Sequence, residues 1–521
     1  MRGAERIGAG LAPAREARAI RVGERIHVVG AAGAGASAAA LLARAAGAVV
    51  SGCDPGGPSP YTPPLVAAGV ELDWQHAAAH VMSGAAAPPV RLAVTKALTA
   101  IHPDHPELRA ARDAGIPIEP WQQLVADAAV GRRLVAVAGT HGKSTTAGWL
   151  VHVLARAGLD PAAFVGALLP ATVTGGLAAT ARLGRGDAFV VEADEYAGNF
   201  DPFRPAVTVL TSAEWDHPDV FADRNAVVAA FEAWIRTGVD LRHGPPMLVA
   251  NAGDDGVAEV LERLGDWPGR VISTRVEPAV GPDSDGATRY QQPASRPRPA
   301  SELVARVIDE GPVATTIEID GLTPDRSAIR VALPTAGRHN VANALGVAGA
   351  ALALGVPSEA IVAGLESFEG VGRRLERKGE ARGVVVYDDY GHHPTAIRAT
   401  IAAVRQREPG RRLWAVYEPL TFHRTAALLD EFAAALAAAD AVAVSDIWAG
   451  RDPDTTIASA SRLVDAVSRE RPGRVAVAPG SVEATADWLA GHVAPGDAVL
   501  VMGGGRSYRI AELLLDGLTR G

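Results

Sequence analysis

The residues with the clearest chemical potential lie between Leu134 and Leu150. An apolar, β-branched run at 134–138 is followed by Gly139, Thr140, His141, Gly142, Lys143, Ser144 and Thr145, and then by a helical pattern. A strand, a glycine turn and a helix N-terminus together form a phosphate site, because backbone N–H groups and the helix dipole point at the anion. In such loops the lysine reaches terminal phosphates and the hydroxyl holds Mg²⁺. The stretch therefore predicts ATP binding.

The match to the general phosphate-loop pattern G-x-x-x-x-G-K-[ST] is incomplete. Val137 stands where the first glycine of that pattern belongs, which leaves the shorter G-x-x-G-K-S. The alternative is a Gly-Lys-Ser that occurs by chance at a surface turn. The apolar run before the loop and the helical pattern after it favour the phosphate site.

Acidic residues follow two further strand-like runs. The run at 188–195 carries Glu192, Asp194 and Glu195 at its C-terminal end, and the run at 207–211 precedes Asp216 and His217. Ligands bind at the carboxyl ends of strands in open α/β sheets, and Mg²⁺ prefers oxygen ligands shared with phosphates. The pattern predicts a magnesium site, although each acid could instead cap a helix or face solvent. His217 alone would more often be structural, and only its neighbours make it a candidate ligand.

A second glycine loop stands near the start of the chain. The strand-like run 26–29 leads into Gly30, Gly33 and Gly35, then a helix to residue 46 and a strand at 48–51 that ends near Asp54. This βαβ unit places glycines at a helix N-terminus and an acid where a ribose hydroxyl would lie. The spacing is G-x-x-G-x-G, so NAD is not specifically indicated, and a purely structural glycine loop stays open as the alternative.

Apolar runs near 384, 413, 441, 475 and 498 alternate with helical segments and predict a doubly wound sheet. Polar residues at 388–394 and 418–424 follow two of these strands, and we expect them to face the ATP loop across a cleft. His392 and His393 suggest zinc, but no third ligand stands nearby at metal spacing.

The part of the chain before this region gives three further predictions. The runs 314–319 and 327–333 predict antiparallel strands, and the residues 277–300 predict a surface loop. Asn340 is interpreted as an ordinary helix cap.

Length and composition limit the class of protein. The 521 residues, 48% hydrophobic and 21% charged, predict a globular α/β protein of several domains. The net charge of −9 argues against nucleic-acid partners, and no run is long enough to span a membrane. The single cysteine, Cys53, fits the reducing cytoplasm. We expect a loose extension at 1–25 and domains at 26–127, 128–370 and 371–521.

Several motifs together resemble the Mur ligases of peptidoglycan synthesis, from about Ile26 to the C-terminus. The motifs are Gly-Thr-His-Gly-Lys-Ser-Thr-Thr (139–146), Glu-Ala-Asp-Glu (192–195), Asp216-His217, Gly-Arg-His-Asn-Val-x-Asn (337–343), Gly-Val-Gly-Arg-Arg (370–374) and Asp-Asp-Tyr-x-His-His-Pro (388–394). Within that family the chain is most similar to the members that join L-alanine to UDP-N-acetylmuramate. The resemblance implies a Rossmann-like UDP-binding domain, a central P-loop ATPase-like domain and a Rossmann-like third domain.

The resemblance also implies roles for individual residues. Gly30, Gly33 and Gly35 would cradle the UDP diphosphate, with Asp54 near the nucleoside. ATP would bind the loop 139–145, with Lys143 on the β- and γ-phosphates. Ser144 and Glu192 would hold one Mg²⁺ and His217 a second. His339 and Asn340 would contact adenine, and Asp388 would contact the ribose. Arg373 and Arg374 would lie at the joint between the second and third domains. The amino acid would be bound by His392 or His393 and by Arg424.

The implied reaction is an ATP-dependent ligation by a monomer or homodimer, through an acyl phosphate, with closure of the third domain on ATP binding. The chain departs from the family pattern at Ser144, Ser212, Gly391, Leu420 and 503–508. The segments 195–196 and 214–221 are similar to the recycling relative that attaches a ready-made tripeptide. That ligase, a non-catalytic nucleotide-binding protein and, at a lower rank, a nicotinamide-dependent oxidoreductase are the alternatives.

Overall fold

The computed structural model describes residues 7–82, 87–238, 241–277, 302–450, 452 and 454–520. These residues form three separate sheets that follow one another along the chain, each with helices packed on it. The predicted α/β class is confirmed. The predicted surface loop at 277–300 lies, except for Glu277, outside the described residues. In the described part of the chain, no helix is long and apolar enough to cross a membrane.

The first sheet is entirely parallel, with the predicted glycine loop after its first strand. Its strands are β1 (Arg25–Val29), β2 (Val49–Cys53), β3 (Glu71–Asp73), β4 (Arg91–Val94) and β5 (Ile118–Pro120). The helices are α1 (Ala34–Ala45), α2 (Pro63–Ala67), α3 (Lys96–Ile101), α4 (Pro106–Asp113) and α5 (Trp121–Ala128), with a 3₁₀ turn at Ala78–His80. The order β3-β2-β1-β4-β5 reverses direction at β1, so the loop after β1 opens at a switch point where ligands bind in such sheets.

The second sheet carries the phosphate loop on a central strand. Its strands are β6 (Arg133–Ala138), β7 (Ala162–Leu169), β8 (Ala179–Leu183), β9 (Ala188–Ala193), β10 (Val207–Leu210), β11 (Met247–Asn251), β12 (Arg270–Val276), β13 (Glu302–Glu310), β14 (Thr315–Asp320) and β15 (Ile329–Leu333). The order is β15-β14-β13-β12-β11-β10-β6-β9-β7-β8. Strands β14 and β15 pair antiparallel, as predicted, and β8 pairs antiparallel with β7. Because β9 and β10 flank β6 in parallel, their acidic ends lie beside the phosphate loop.

The helices of the second sheet cover both of its faces. They are α6 (Lys143–Arg156), α7 (Ala171–Thr174), α8 (Arg224–Thr237), α9 (Asp255–Arg263), α10 (Arg338–Ala353) and α11 (Ser358–Glu366), with 3₁₀ turns at Tyr196–Gly198 and Leu241–His243. Helix α10 is rich in small residues and packs closely against α6 and β11. A Cβ at Gly349 would lie 2.6 Å from a Val249 methyl carbon. This close approach brings the start of α10 next to the phosphate loop.

The third sheet is parallel except at one edge. Its strands are β16 (Glu376–Ala381), β17 (Val384–Asp389), β18 (Arg412–Glu418), β19 (Ala441–Ser445), β20 (Val475–Gly480) and β21 (Asp497–Gly503). The helices are α12 (Pro394–Arg407), α13 (Phe422–Ala427), α14 (Leu429–Leu436), α15 (Ala460–Glu470), α16 (Val482–Ala490) and α17 (Ser507–Arg520). The order is β16-β17-β21-β18-β19-β20, with β16 antiparallel to β17. The doubly wound prediction is confirmed, and the polar ends of β17 and β18 point toward the second sheet.

The hydrophobic cores differ in how they connect the sheets. One continuous core joins α1 of the first sheet to one face of the second sheet, and α1 also contacts β7 and β8. At this junction the rings of Trp121 and Phe164 meet edge to face, and Ser37 and Thr180 hydroxyls lie 3.1 Å apart. The third sheet has its own cores on its two faces. The first two units are therefore held together by a shared apolar core, and the partly buried Trp215 packs against both this core and one core of the third sheet.

The prediction of a loose extension at 1–25 is wrong for the residues that follow Leu11. Ala12 donates its backbone N–H to the Ile118 carbonyl, and Ile20 is buried in the first core. Arg15 forms ion pairs with Glu119 and Asp127, at 2.8 and 2.7 Å. The sequence shows no strand or helix period here, because the segment is held by single side chains rather than by a repeating face.

Candidate active site

The phosphate loop has the predicted strand–loop–helix geometry. Strand β6 ends at Ala138 and helix α6 begins at Lys143, with Gly139 and Gly142 at φ +133° and +80°. A Cβ at Gly142 would lie 2.4 Å from Oδ1 of Asn343, and one at Gly139 would lie 2.3 Å from Oγ1 of Thr211. Glycine is required at both positions, because φ is positive and the surrounding groups leave no space for a side chain.

Lys143 lies among acids at the end of β9. Its Nζ donates to the Gly139 carbonyl at 2.6 Å and to Oε2 of Glu195 at 3.0 Å, and Asp194 Oδ1 is 3.5 Å away. Burial by itself lowers the pKa of Lys143, but Glu195, Asp194 and Glu192 outweigh that effect and raise the pKa above its ordinary value. The lysine is therefore charged and positioned at the phosphate loop.

Ser144 is the meeting point of the central and third domains. Its Oγ donates to Oε1 of Glu192 at 3.0 Å and accepts from Nη2 of Arg374 at 2.8 Å. The other carboxylate oxygen of Glu192 accepts from the Gly166 backbone N–H at 2.6 Å. The structure thus brings together the three predicted residues Ser144, Glu192 and Arg374.

Two of the acids that contact Lys143 also form a group with His217. One ligand atom each from Asp194, Glu195 and His217 lies within 4.8 Å of the others. Burial raises the pKa of Glu195 to about 7, with Asp194 also raising it and Lys143 opposing. Two closely spaced carboxylates and a hydroxyl-bearing loop are the donor set that suits Mg²⁺, so the residues present fit that ion.

Arg424 reaches from the third domain to the residues beside this acidic group. Its Nε donates to Oδ1 of Asp216 at 2.9 Å, and its Nη2 forms an ion pair with the same oxygen at 2.8 Å. Nη2 also donates to Nδ1 of His217 at 3.1 Å. Burial opposes ionisation of Asp216, but His217 and Arg424 hold its pKa well below the usual range. His217 has a φ of +55°, in the left-handed region that few histidines adopt. The strained residue is held by both domains.

His393 closes the same interface beside the phosphate loop. Its Nε2 donates to the Trp215 carbonyl at 3.2 Å, its Nδ1 accepts from the Thr395 N–H, and its ring lies 4.6 Å from that of His141. Glu214 accepts from His141 Nε2 at 3.3 Å and from the Thr395 hydroxyl at 2.8 Å. The fold thus supplies the further potential ligands that the sequence lacked around His393. However, both ring nitrogens of His393 already have partners, so zinc is not favoured there.

A cavity of about 830 Å³ extends from the phosphate loop to the third domain. Its lining includes His141, Gly142 and Thr145 at one end and Asp388 at the other. Arg373 donates from Nε to Oδ2 of Asp388 at 3.2 Å. Within the described residues, Oδ1 of Asp388 is buried with no hydrogen-bond partner. A ligand hydroxyl would satisfy this acceptor, so the cavity fits a nucleotide with its phosphates on the loop and its ribose near Asp388.

The start of α10 lines the middle of this cavity. His339 is exposed there, whereas Asn340 is buried. The prediction that Asn340 caps the helix is wrong, because the cap position is Gly337. The Asn340 side chain instead donates to the Ala336 carbonyl at 2.8 Å and accepts from Asn343 at 3.0 Å. It holds Asn343 against the phosphate loop.

The predicted UDP-binding residues surround the loop after β1. Gly30 has φ +78° and Gly33 precedes the first residue of α1. Asp54 accepts from the Ala32 N–H at 3.1 Å, so it shapes the loop. Gly35 has a different role from the other two glycines, because a Cβ there would lie 2.2 Å from Cζ2 of Trp121. It permits close packing of α1 on α5.

Sequence reasoning left several residues of this site without an individual role. Asp216 and Glu195 belong to motifs that the sequence analysis used. Their pairing with Arg424 and Lys143, respectively, could not be predicted from the sequence. The sequence did not predict the contact between Glu214 and Thr395, because the two residues belong to different domains and are 181 positions apart in the chain. His392 donates from Nδ1 to the Tyr390 carbonyl at 2.9 Å and lies beside this group. Thr140 donates to the Glu214 carbonyl at 3.0 Å.

Comparison with known proteins identifies the family. The model of the Mur ligase family catalytic domain matches residues 25–133, that of the Mur ligase middle domain 137–351, and that of the Mur ligase glutamate ligase domain 373–505. The UDP-N-acetylmuramate–L-alanine ligase of Frankia casuarinae is 37% identical and covers 95% of this chain and 98% of its own. The chain belongs to the Mur ligase family. The ligase of the same name from Kineococcus radiotolerans is 38% identical, over 92% and 93% of the two chains.

Solved structures of Mur ligases have the same architecture. The UDP-N-acetylmuramate-alanine ligase of Thermotoga maritima superposes with a TM-score of 0.72 at 23% identity, over 94% of this chain and 98% of its own. A murein peptide ligase from Psychrobacter arcticus gives a TM-score of 0.68 at 25% identity, over 96% and 99%. The three-domain fold and the predicted ligase class are confirmed. The reading of the first βαβ unit as the core of an oxidoreductase has no support.

Proposed function

We propose that this Mur ligase joins L-alanine to the lactyl carboxylate of UDP-N-acetylmuramate in the cytoplasm, using ATP. The proposal is supported by curated relatives named for this reaction that are 33–38% identical over most of the chain. The observation that carries it is the buried position of Arg424 between two domains, where its guanidinium, a group that can bind a carboxylate, contacts Asp216 and His217.

ATP supplies the phosphoryl group that turns a carboxylate into an acyl donor. In the proposal Lys143 contacts its terminal phosphates, Ser144 and Glu192 hold one Mg²⁺, and His217 with Asp194 and Glu195 holds another. Gly30 and Gly33 bind the UDP diphosphate, and Asp54 keeps their loop in shape. Lys143 and Arg374 provide positive charge on both sides of the transferred group, where negative charge must be stabilised.

The third domain supplies the acceptor site and excludes water. Arg424, His392 and His393 lie where β17 and β18 end, and His393 and Arg424 are 6% and 3% exposed. Arginine pairs with carboxylates through two parallel hydrogen bonds, so Arg424 is suited to hold the carboxylate of an amino acid. Burial of this group limits hydrolysis of the activated acyl group before the amine attacks.

The ligase that attaches a ready-made tripeptide remains the second candidate. It is favoured by the segments 195–196 and 214–221 and by the structural similarity to the murein peptide ligase. A tripeptide needs an open acceptor site, whereas Arg424 here is enclosed by Asp216 and His217 at 2.8 and 3.1 Å. The enclosed site supports the single amino acid.

Phosphate release from ATP tests the proposal directly. The assay combines UDP-N-acetylmuramate with L-alanine, glycine, L-serine or the tripeptide. We expect release that requires both the UDP-sugar and L-alanine. The Lys143→Ala variant should lose about 10³-fold of this rate, a loss typical of removing charge stabilisation from phosphoryl transfer. Arg469→Ala, which removes the same charge from an exposed position on α15, is the control. Preference for the tripeptide would assign the recycling reaction, and no turnover with any acceptor would refute both.

A further inference from the structure

A cluster of potential metal ligands lies in the first domain, away from the ATP-binding groups. Its members come from β1, the end of β2, the segment after β3 and the start of α4, and none has a role in the ligase reaction above. They are His27, Cys53, His76, His80, His105 and Glu107. Glu107 and Cys53 are fully buried, and His27 is 2% exposed.

Four of these side chains point their donor atoms at one another. The Cys53 Sγ lies 3.4 Å from His27 Nε2 and 3.1 Å from Glu107 Oε1. Glu107 Oε1 is 3.9 Å from His27 Nε2 and 2.6 Å from His80 Nδ1. Around a tetrahedral zinc ion with bonds of about 2.0–2.3 Å, donor atoms lie about 3.3–3.8 Å apart. The observed separations need only small side-chain movements to reach that geometry.

The nitrogen of each histidine that faces away from the cluster has a partner of its own. His27 Nδ1 lies 2.9 Å from the Ser51 hydroxyl, and His80 Nε2 lies 3.0 Å from a carboxylate oxygen of Asp73. Metal-binding histidines are oriented in this way, with the second ring nitrogen on a carboxylate or another polar group. The arrangement leaves His27 Nε2 and His80 Nδ1 toward the shared centre.

The edge of the cluster holds a histidine that the structure leaves unsatisfied. Among the described residues, neither ring nitrogen of His105 has a hydrogen-bond partner, although both are buried. Its ring packs at 4.3 Å from that of His76, whose Nδ1 is 3.2 Å from Cys53 Sγ. A buried imidazole without a partner is costly, and it commonly indicates a ligand or ion that completes the site.

We propose that His27, Cys53, His80 and Glu107 form a site for a divalent transition-metal ion of the zinc class, with His76 and His105 as adjacent alternative ligands. A thiolate with imidazoles and one carboxylate selects such ions over Mg²⁺. His76 and His80 are partly exposed and provide the entry path.

The site would connect to the substrate loop through the backbone of Cys53. The Cys53 carbonyl accepts from the N–H groups of Gly30 and Ala31 at 2.8 and 3.0 Å. An ion bound to the Cys53 thiolate would therefore fix the end of β2 against β1 and hold the glycine loop. Its role is structural, and the ligase chemistry does not require it to take part in any step.

Cobalt provides a direct test, because Cys53 is the only cysteine of the 521-residue chain. The full-length protein, purified without a histidine tag, is loaded with Co²⁺ and its absorption spectrum is recorded. We expect a thiolate-to-cobalt charge-transfer band and the visible bands of a tetrahedral ion, at one ion per chain. Cobalt at the ATP site cannot produce the charge-transfer band. Its absence, with Co²⁺ in excess, would overturn the proposal.

Zinc binding by variants distinguishes zinc held in this cluster from zinc bound to other parts of the protein surface. Metal content after dialysis is expected to be one zinc per chain for the unaltered protein and for His102→Ala, whose exposed histidine lies outside the cluster. Cys53→Ser and Glu107→Gln should each lose at least tenfold in zinc affinity, and zinc should raise the melting temperature of the unaltered protein but not of these variants. If either variant fails to fold, the cobalt spectrum of the unaltered protein still decides. Equal zinc content in all variants would contradict the site.

Discussion

Arg424 is a third-domain side chain that contacts Asp216 and His217 of the central domain. Its Nε hydrogen bond and its Nη2 ion pair to Oδ1 of Asp216 use two nitrogens of the planar guanidinium, which lysine lacks. We expect Arg424→Lys to raise the KM for L-alanine about 10- to 100-fold, equivalent to about 1–3 kcal/mol, with little change in the KM for ATP. Steady-state kinetics with each substrate varied in turn measures this.

The control for that change is Arg469→Lys, a matched replacement at an exposed position of the same domain. A rise in the KM for ATP equal to that for L-alanine would contradict the assignment. It would mean that Arg424 stabilises the contact between the central and third domains rather than binding L-alanine.

His393 makes the stability of the protein depend on pH. Burial, with a smaller contribution from His141, lowers its pKa to about 4, although Asp216 and Glu214 partly oppose this and Arg424 adds to it. The unfolded chain, with a histidine pKa near 6.5, binds the proton first, so stability falls as pH falls from about 6.5 to 4. Between pH 7 and pH 5, protonation of His393 in the unfolded chain lowers the free energy of unfolding by about 2 kcal/mol.

Chemical denaturation at pH 7 and pH 5 checks this value. His393→Gln should lose less stability than the unaltered protein over that interval, by about 2 kcal/mol. The exposed His102 provides the control, since His102→Gln should keep the full dependence. Equal pH dependence in His393→Gln and the unaltered protein would show that His393 is not buried in its neutral form.

The structural elements differ in how far the sequence revealed them. The strands β17, β18, β19 and β21 were predicted from apolar runs, because parallel strands covered on both faces are nearly continuous in hydrophobic residues. The edge strand β20 was also predicted from its apolar run, although it is partly exposed. Strand β16 was not predicted, since it is a half-exposed edge strand with the sequence ERKGEA. Strand β7 was not predicted either, because its sequence AAFVGALL has a single β-branched residue and contains a glycine.

The site shows the same contrast. The phosphate loop is contiguous, so local pattern was sufficient to predict Lys143 and Ser144. The contacts of Arg424 with Asp216 and of Arg374 with Ser144 join residues 208 and 230 positions apart. The family resemblance identified these arginines as candidate site residues. Their partners could not be predicted, because they depend on how the domains pack against each other. No periodicity in the chain carries that information.

Helix α1 depends on one glycine for its position. A Cβ at Gly35 would overlap the Trp121 ring, at 2.2 Å, so Gly35→Ala must displace α1 from α5. We expect a loss of about 1–3 kcal/mol in the free energy of unfolding, typical of overpacking, and a higher KM for the UDP-sugar because the glycine loop precedes α1. ATP binding should be unchanged.

Gly176→Ala is the matched control for Gly35→Ala. At Gly176 a Cβ would meet nothing within 4 Å and φ is not positive, so the change should be neutral. Denaturation and substrate kinetics of the two variants measure the difference. Equal stability of Gly35→Ala and Gly176→Ala would show that the helix can move without cost.

At the scale of the whole molecule, the continuous core predicts which parts move. The first and second units share apolar packing, whereas the third meets them largely through polar contacts and the partly buried Trp215. We expect ATP analogue with UDP-N-acetylmuramate to draw the third domain closer, because ligands add contacts where few apolar ones exist. Small-angle scattering should show a smaller radius of gyration with both ligands present.

The Lys143→Ala variant is the control for scattering, since it should respond less to the nucleotide. Indistinguishable scattering of the unaltered protein with and without ligands would contradict closure. Compaction by the UDP-sugar alone would assign the movement to the first two units, against the shared core.

The contact between Arg424 and His217 has a consequence for the order of the reaction. A neutral imidazole has one lone pair, and here the lone pair on Nδ1 accepts from Arg424, so the other nitrogen carries the proton. His217 therefore cannot bind Mg²⁺ and accept from Arg424 at the same time. If His217 held Mg²⁺, the guanidinium of Arg424 would lose one of its partners and would be available to a carboxylate. We expect compulsory-order kinetics in which L-alanine enters last and the empty enzyme keeps its own acceptor site closed.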